Sequence, residues 1–161
     1  VSDAGAAWKV LDAVPDPEVP ALSLVDLGVV REVNAAAGHG VEVVLTPTYS
    51  GCPATEVIRR SVIEALEAEG LGPVTVTQRL APAWSTDWIS AEGRRKLREY
   101  GIAPPGPAAA EATIRIRPRD LACPRCGSAN TERLSAFGST ACKALYRCLA
   151  CREPFEHFKA I

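Results

Sequence analysis

Residues 41–70, VEVVLTPTYSGCPATEVIRRSVIEALEAEG, decide the fold. Val41 to Thr46 is a short apolar run rich in β-branched residues and reads as a strand. From Pro53 the period changes: Ile58, Val62, Ala65 and Leu66 share one helical face, with Glu56, Arg59, Arg60, Glu64 and Glu67 around it and Gly70 as the stop. Between strand and helix stands Cys52, after Gly51 and before Pro53. Pro53 suits the first helical position, which puts Cys52 at the N-cap. There unpaired N–H groups and the positive end of the helix dipole favour a thiolate, and with it metal binding or nucleophilic attack. A small buried residue that merely caps the helix is the equal alternative.

Upstream, Ala7, Val10, Leu11 and Val14 recur at helical spacing within Ala4–Val14, and PDPEVP at 15–20 ends that helix with three prolines. Val29 to Val33 reads as a strand paired in a hairpin with Val41 to Thr46 through the small-residue turn containing Gly38 and Gly40. Downstream, PVTVTQRLAPAW at 73–84 alternates as a third strand, and STDWISAEGRRKLREYG at 85–101 reads as a helix capped by Ser85 or Thr86. The fold class is therefore α+β: an αββαβα domain over residues 1–103, a Pro/Ala-rich linker over 104–117, and a cysteine-bearing module over 118–161.

In that module Cys123 and Cys126 form one C-x-x-C and Cys148 and Cys151 another, with 21 residues between the pairs. This is the spacing of two knuckles on one tetrahedral zinc, and four protein ligands leave no open position for an activated water, so the zinc is expected to be structural. A module of about forty residues buries too little apolar surface to fold without such a staple. Cys142 is left over; a thiol activated by Lys143 and Arg147 and an inert buried cysteine both fit it. An iron–sulfur cluster using Cys142 is a further ligand set that Cys₄ chemistry allows.

Six cysteines in 161 residues, five of them after residue 120, are metal ligands in pattern rather than a disulfide framework, which points to a reducing cytoplasm. The first residues lack a basic segment followed by an apolar one, and no stretch nears the roughly 20 apolar residues of a membrane span. A net charge of -1 gives no general attraction to phosphate backbones and weighs against a nucleic-acid partner. Neither a phosphate-binding glycine loop nor a carboxylate–histidine pair for a di-iron centre is present. The two histidines, His39 in a turn and His157 beside the second knuckle, offer Cys52 no base within its own domain. Asp16, Glu18 and Asp26 read equally well as turn and cap residues, Thr46 and Thr48 as ordinary strand-end residues, and Trp84 and Trp88 as core or lid aromatics.

Four stretches in order, DPEVPALSLVDLGVVREV, LTPTYSGCPATEVI, LAPAWSTDWISAEGRRKLREYGIAPP and CPRCGSANTERLSAFGSTACKALYRCLACREPFEHFK, together resemble the PaaD family, the D component encoded with the bacterial phenylacetyl-CoA ring epoxidase. The first domain is also similar to SufT-like and eukaryotic cytosolic iron–sulfur targeting proteins. The resemblance implies a non-enzymatic accessory protein for iron–sulfur cluster assembly or delivery to that monooxygenase system in phenylacetate degradation. It places Cys52 on the family's G-C-P cysteine, a contact for iron or a transient cluster, Asp16, Glu18 and Asp26 on its acidic positions, and Thr46 and Thr48 on its T-x-T. It implies epoxidase components as partners, especially the iron–sulfur reductase component. One thiol supplies one ligand, so a cluster would be shared across a homodimer or with the client. The competing reading is a structural zinc-ribbon adaptor of the oxygenase complex, with Cys52 a helix cap.

Overall fold

The computed structural model describes residues 3–36, 40–108 and 121–161, so that His39, most of the linker and the first residues of the ribbon lie outside the described residues. Helix α1, Asp3–Leu11, ends in turns that bond Asp12 and Val14 back to Trp8 and Leu11, just before Pro15. Strands β1, Val30–Ala36, and β2, Gly40–Leu45, pair antiparallel with Val33 opposite Val43 and Ala35 opposite Val41. Helix α2, Thr55–Ala68, crosses over to β3, Val74–Gln78, which runs parallel to β2 from Val41 opposite Val74 to Leu45 opposite Gln78.

The order β1-β2-β3 puts the most apolar strand in the centre. Helix α1 packs on β1 and β2, and α2 on β3 and on α1, so both helices lie on one face of the sheet. That face collects Val41, Val43 and Leu45, alternating along β2. Against them come Ala7 and Leu11 from α1 and Ile58, Val62 and Leu66 from α2, all buried at i, i+4 spacing. Burying a Leu or Val side chain contributes about 1.5–3 kcal/mol, so these few positions carry much of the unit's stability.

The chain divides into two compact units, Val1–Trp84 with Trp88–Gly93, and Ser85–Asp87 with Arg94–Ile161. The α, β, β, α, β, α order is as read from the sequence, but three details differ. The third strand stops at Gln78, with Arg79 making the last backbone bond, to Leu45, before an exposed segment begins. Ser85 and Thr86 do not cap the last helix: Thr86–Trp88 is a 3₁₀ turn, and α3, Ala91–Tyr100, is capped by Ser90, whose Oγ accepts the Gly93 N–H at 2.8 Å. Residues Ile102–Ala103, grouped above with the first domain, form β4 and pair parallel with β7 in the second unit, where both are buried.

In the second unit β5, Thr131–Ser135, β6, Lys143–Cys148, and β7, Pro154–Phe158, form an antiparallel meander that β4 extends, in the order β4-β7-β6-β5. Arg94 of α3 ties the segments on either side of it, donating to the carbonyls of Pro105 at 2.7 Å and Thr86 at 2.8 Å. Thr86 in turn exchanges hydrogen bonds with Ile161, its N–H to the Ile161 carbonyl at 3.1 Å and its Oγ1 from the Ile161 N–H at 3.2 Å. On β6, Lys143 is almost fully buried and pairs with Glu156 of β7 at 3.0 Å.

Burial opposes ionisation of Glu156, but the Ser139 backbone N–H and the Lys143 ammonium outweigh it and hold the carboxyl below its ordinary 4.5. A depressed carboxylate contributes stability above its unfolded pKa and loses it as pH falls through the folded value. Glu156→Gln, which leaves Lys143 buried without its counter-charge, is expected to cost about 1–3 kcal/mol at pH 7. The gap between mutant and wild-type melting temperatures should close as pH is lowered from 6 toward about 3, read by thermal unfolding monitored by circular dichroism.

Candidate functional site

Antiparallel pairing of β1 and β2 sets the loop that enters β1 beside the loop that leaves β2: the Thr46 N–H bonds the Val29 carbonyl at 2.9 Å. Asp16, Glu18 and Asp26 lie on the first of these loops and Thr46, Thr48 and Cys52 on the second.

Asp16 is buried, its Oδ1 accepting the N–H groups of Glu18 at 2.9 Å and Val19 at 2.8 Å. It folds the PDPEVP segment into an Asx-type turn, while Glu18 is half-buried. Asp26, also buried, forms a reciprocal capping box with Ser23: Ser23 Oγ accepts the Asp26 N–H at 2.9 Å and Asp26 Oδ2 the Ser23 N–H at 3.3 Å. Its Oδ1 accepts the Ser90 hydroxyl at 3.0 Å. Both carboxylates thus organise backbone. Thr46 is buried and Thr48 half-buried.

Cys52 is not the N-cap. The helix begins at Thr55 behind Ala54, whose backbone is already helical. Two turns, Cys52 N–H to the Tyr49 carbonyl at 3.3 Å and Thr55 N–H to the Cys52 carbonyl at 3.2 Å, carry the chain from strand to helix. Pro53 lies inside the second turn rather than at the first helical position, and Gly51, at φ +83°, makes the first possible. Cys52 is 9% exposed as a residue and lies in the turns that lead into the helix.

In the second unit the four ribbon cysteines converge, their Sγ atoms all within 4.8 Å of one another. Cys123 faces Cys151 at 3.8 Å and Cys126 faces Cys148 at 3.6 Å. Thiolates about 2.3 Å from one tetrahedral ion stand about 3.8 Å apart, so the donor set fits a single metal ion. Each knuckle ends on a left-handed residue, Gly127 at φ +76° and Arg152 at φ +65°, which turns the following backbone back over the sulfurs. The Cys151 N–H points at Cys148 Sγ at 3.5 Å. That N–H, against burial and with help from the Ala150 N–H and the thiols of Cys126 and Cys151, holds the Cys148 thiol down at about 7. Cys151 is lowered by the Glu153 N–H, but burial and the other three thiols together push it up to about 12. Four crowded thiols so poised cannot all ionise without a cation between them. Cys142 stands outside this group, buried, with Thr140 Oγ1 3.0 Å from its sulfur, and His157 lies on β7 with Nδ1 3.2 Å from the Ala103 carbonyl.

Of these contacts, the Ser23–Asp26 box is legible as S-x-x-D, whereas the Ser90–Asp26 bond joins residues 64 apart and leaves no local signal.

An assembly-type α+β domain followed by a four-cysteine metal-binding ribbon is the class these features define. Residues 6–77 match the family described as "Iron-sulfur cluster assembly protein" and residues 107–159 the "PaaD zinc beta ribbon domain", with residues 78–106 in neither match. The D component of the "Putative 1,2-phenylacetyl-CoA epoxidase" from Escherichia coli (strain K12) is 51% identical over 154 residues, 96% of this chain and 91% of that protein. The "Fe-S protein maturation auxiliary factor" of Porphyromonas gingivalis (strain ATCC BAA-308 / W83) is 32% identical over 90 residues, 55% of this chain and 85% of that one. A solved domain of unknown function, DUF59, from Bacillus anthracis shares the fold with a TM-score of 0.56 at 27% identity, covering 59% of this chain and 91% of that one. The chain belongs to the PaaD family, the D components of phenylacetyl-CoA epoxidase systems. Among the described residues no helix is long and apolar enough to cross a membrane.

Metal removal should act on the ribbon alone. With a chelator, or in Cys126→Ser, bound metal measured by elemental analysis should fall from about one equivalent to none, because structural sites of this kind bind with about 10–16 kcal/mol that is also folding free energy. Amides of β5, β6 and β7 should then lose protection from hydrogen exchange while those of β2 and α2 keep it.

Proposed function

We propose that this protein is an accessory maturation factor that handles iron or an iron–sulfur cluster for the phenylacetyl-CoA ring epoxidase system, with Cys52 as the protein's contact to that cargo. The observation that carries this reading is the end-to-end likeness to the epoxidase D component combined with the assembly-family match over the unit that holds Cys52. Asp16 and Asp26 shape the loop that enters β1, the Thr46 N–H ties the exit of β2 to the Val29 carbonyl at the end of that loop, and Glu18 and Thr48 are assigned to the same supporting site.

The ribbon's ion is zinc in a structural role. The short distances between sulfurs favour one ion held by four thiolates over a cluster, in which each thiolate binds a different iron and the sulfurs stand further apart. One cysteine gives the cargo one protein ligand, so the remainder come from a second copy of the chain or from the client, for which the system's iron–sulfur reductase component is the natural candidate. The compartment is the cytoplasm, where free thiols persist.

Anaerobic reconstitution with ferrous iron and sulfide tests the reading. The wild-type protein should develop visible cluster absorption and matching iron and sulfide contents, and Cys52→Ala should lose them while its zinc content stays at about one equivalent. Unchanged cluster occupancy in Cys52→Ala would leave the ribbon as an adaptor and Cys52 as a structural turn residue.

A further inference from the structure

The net charge of -1 hides a separation of charge along the chain. The unit Val1–Trp84 with Trp88–Gly93 carries five Lys and Arg against twelve Asp and Glu, and the unit Ser85–Asp87 with Arg94–Ile161 thirteen against seven, so the first stands at -7 and the second at +6. Four thiolates around one divalent ion would take only two charges from the second. An excess of that size attracts an acidic surface and steers its approach.

Within the second unit, residues 136–142 join β5 to β6 and hold Phe137 at 64% exposure, with Leu134 at 51% three residues before it. The loop that presents this ring is fixed by backbone and charge. Lys159, just after β7, staples both its ends: its N–H bonds the Cys142 carbonyl at 2.9 Å and its ammonium the Ala136 carbonyl at 3.1 Å. The same ammonium stands over the Phe137 ring, 4.6 Å from the centroid. The Phe137 N–H bonds Ser135 Oγ at 3.1 Å, the Gly138 N–H the Lys143 carbonyl at 2.7 Å and the Ser139 N–H the Glu156 carboxylate. A Cβ on Gly138 would stand 2.5 Å from Glu156 Oε1, so the loop rests directly on the Lys143–Glu156 pair. An exposed ring on a loop so fixed loses little freedom on binding, which is the property of an interface anchor.

We propose that Phe137, with Leu134 and with Lys159 at its ring, anchors a docking surface for a partner protein whose matching feature is an apolar pocket rimmed by carboxylates. The inference rests on the reading above in one respect, that the partner is a protein component of the epoxidase system. Cargo contact and docking then reside in different units, Cys52 in the first and Phe137 in the second. Three features favour protein over nucleic acid. Leu134 has no π-face for a base, Lys159 occupies one face of the ring on which a base would stack, and the Arg147 charge is tied to Glu132 rather than left for a phosphate.

Biolayer interferometry of the full-length, metal-loaded protein against each purified epoxidase component, the iron–sulfur reductase component first, tests the surface at low and at physiological salt. One component should bind the wild type, and more weakly as salt rises. Phe137→Ala should weaken that affinity at least about tenfold with the melting temperature unchanged, as expected of an exposed side chain. Lys159→Gln should cost about threefold, and Lys159→Arg, which keeps the charge, should stay within about twofold of wild type. Should Phe137→Ala fail to fold, Leu134→Ala takes its place with an expected loss of about threefold. Wild-type affinity in Phe137→Ala or its substitute overturns the proposal, as does binding to no component. Tighter binding to a random-sequence DNA duplex than to any component makes the surface a nucleic-acid one and overturns it too. The two readings separate: cluster loss in Cys52→Ala with unaltered docking in Phe137→Ala leaves the cargo site without this surface, and weakened docking in Phe137→Ala with full cluster occupancy in Cys52→Ala leaves the surface on a protein that carries no cargo at that thiol.

Discussion

The hydrogen bond from Thr46 to the Val29 carbonyl is the point on which the first unit depends. It is the last rung of the β1–β2 pairing, and it fixes which segments meet beyond the sheet. An antiparallel pair sets the entrance of one strand against the exit of the other. An acidic loop from residue 15 and a cysteine turn at residue 52 therefore arrive at the same end, although almost forty residues separate them. Gly28, at φ +75°, is what lets the acidic loop turn into β1 while the Trp88 backbone presses on it. Strand β3 reaches the same end through the Arg79 bond to Leu45, which anchors the chain before it returns to Trp84.

The second unit is organised by a different force. Its core at the knuckles consists of Ala103, Cys123, Cys148 and Phe155, with Leu121 and Tyr146 packed against them. Two of those four buried residues, Cys123 and Cys148, belong to the four-cysteine donor set, so the apolar core and the donor set overlap. The stacked rings of Tyr146 and Phe155, 5.8 Å between centroids, and the buried Lys143–Glu156 pair add local order, but neither replaces the cation that four close thiols demand. Two folding strategies thus share one chain, apolar burial before the linker and ligand capture after it.

Legibility in the sequence follows that division. Helix α2 and the two knuckles are readable because their information is local: a 3.6-residue apolar period in one case, paired C-x-x-C turns in the other. What escapes is set by contacts distant in sequence. A two-residue strand has no period, so Ile102 and Ala103 reveal themselves only as partners of Glu156 and His157. Ser90 looks no better a cap than Ser85, because what selects it is Asp26, 64 residues away. Pro53 suits a first helical residue and a tight turn equally well, which is why the sequence alone draws Cys52 two positions too close to the helix. The acids at 16 and 26 can be turn residues or site residues on the sequence alone, and their geometry makes them organisers of backbone, whatever the loops they shape go on to hold.

The contrast between the two cysteine environments bears on what each can do with a metal. Four thiols preassembled within 4.8 Å surround an ion on every side, and ligand exchange there requires the knuckles to come apart. Cys52 stands alone in its unit, in a turn whose backbone bonds are few and relatively long at 3.3 and 3.2 Å. An iron bound through one protein sulfur keeps its other positions for a second molecule's ligands, and leaves by breaking one bond rather than four. Retention and transfer place opposite demands on a site. The ribbon's geometry suits the first and a single sulfur suits the second, which is the division of labour that the proposed delivery role would ask of one chain.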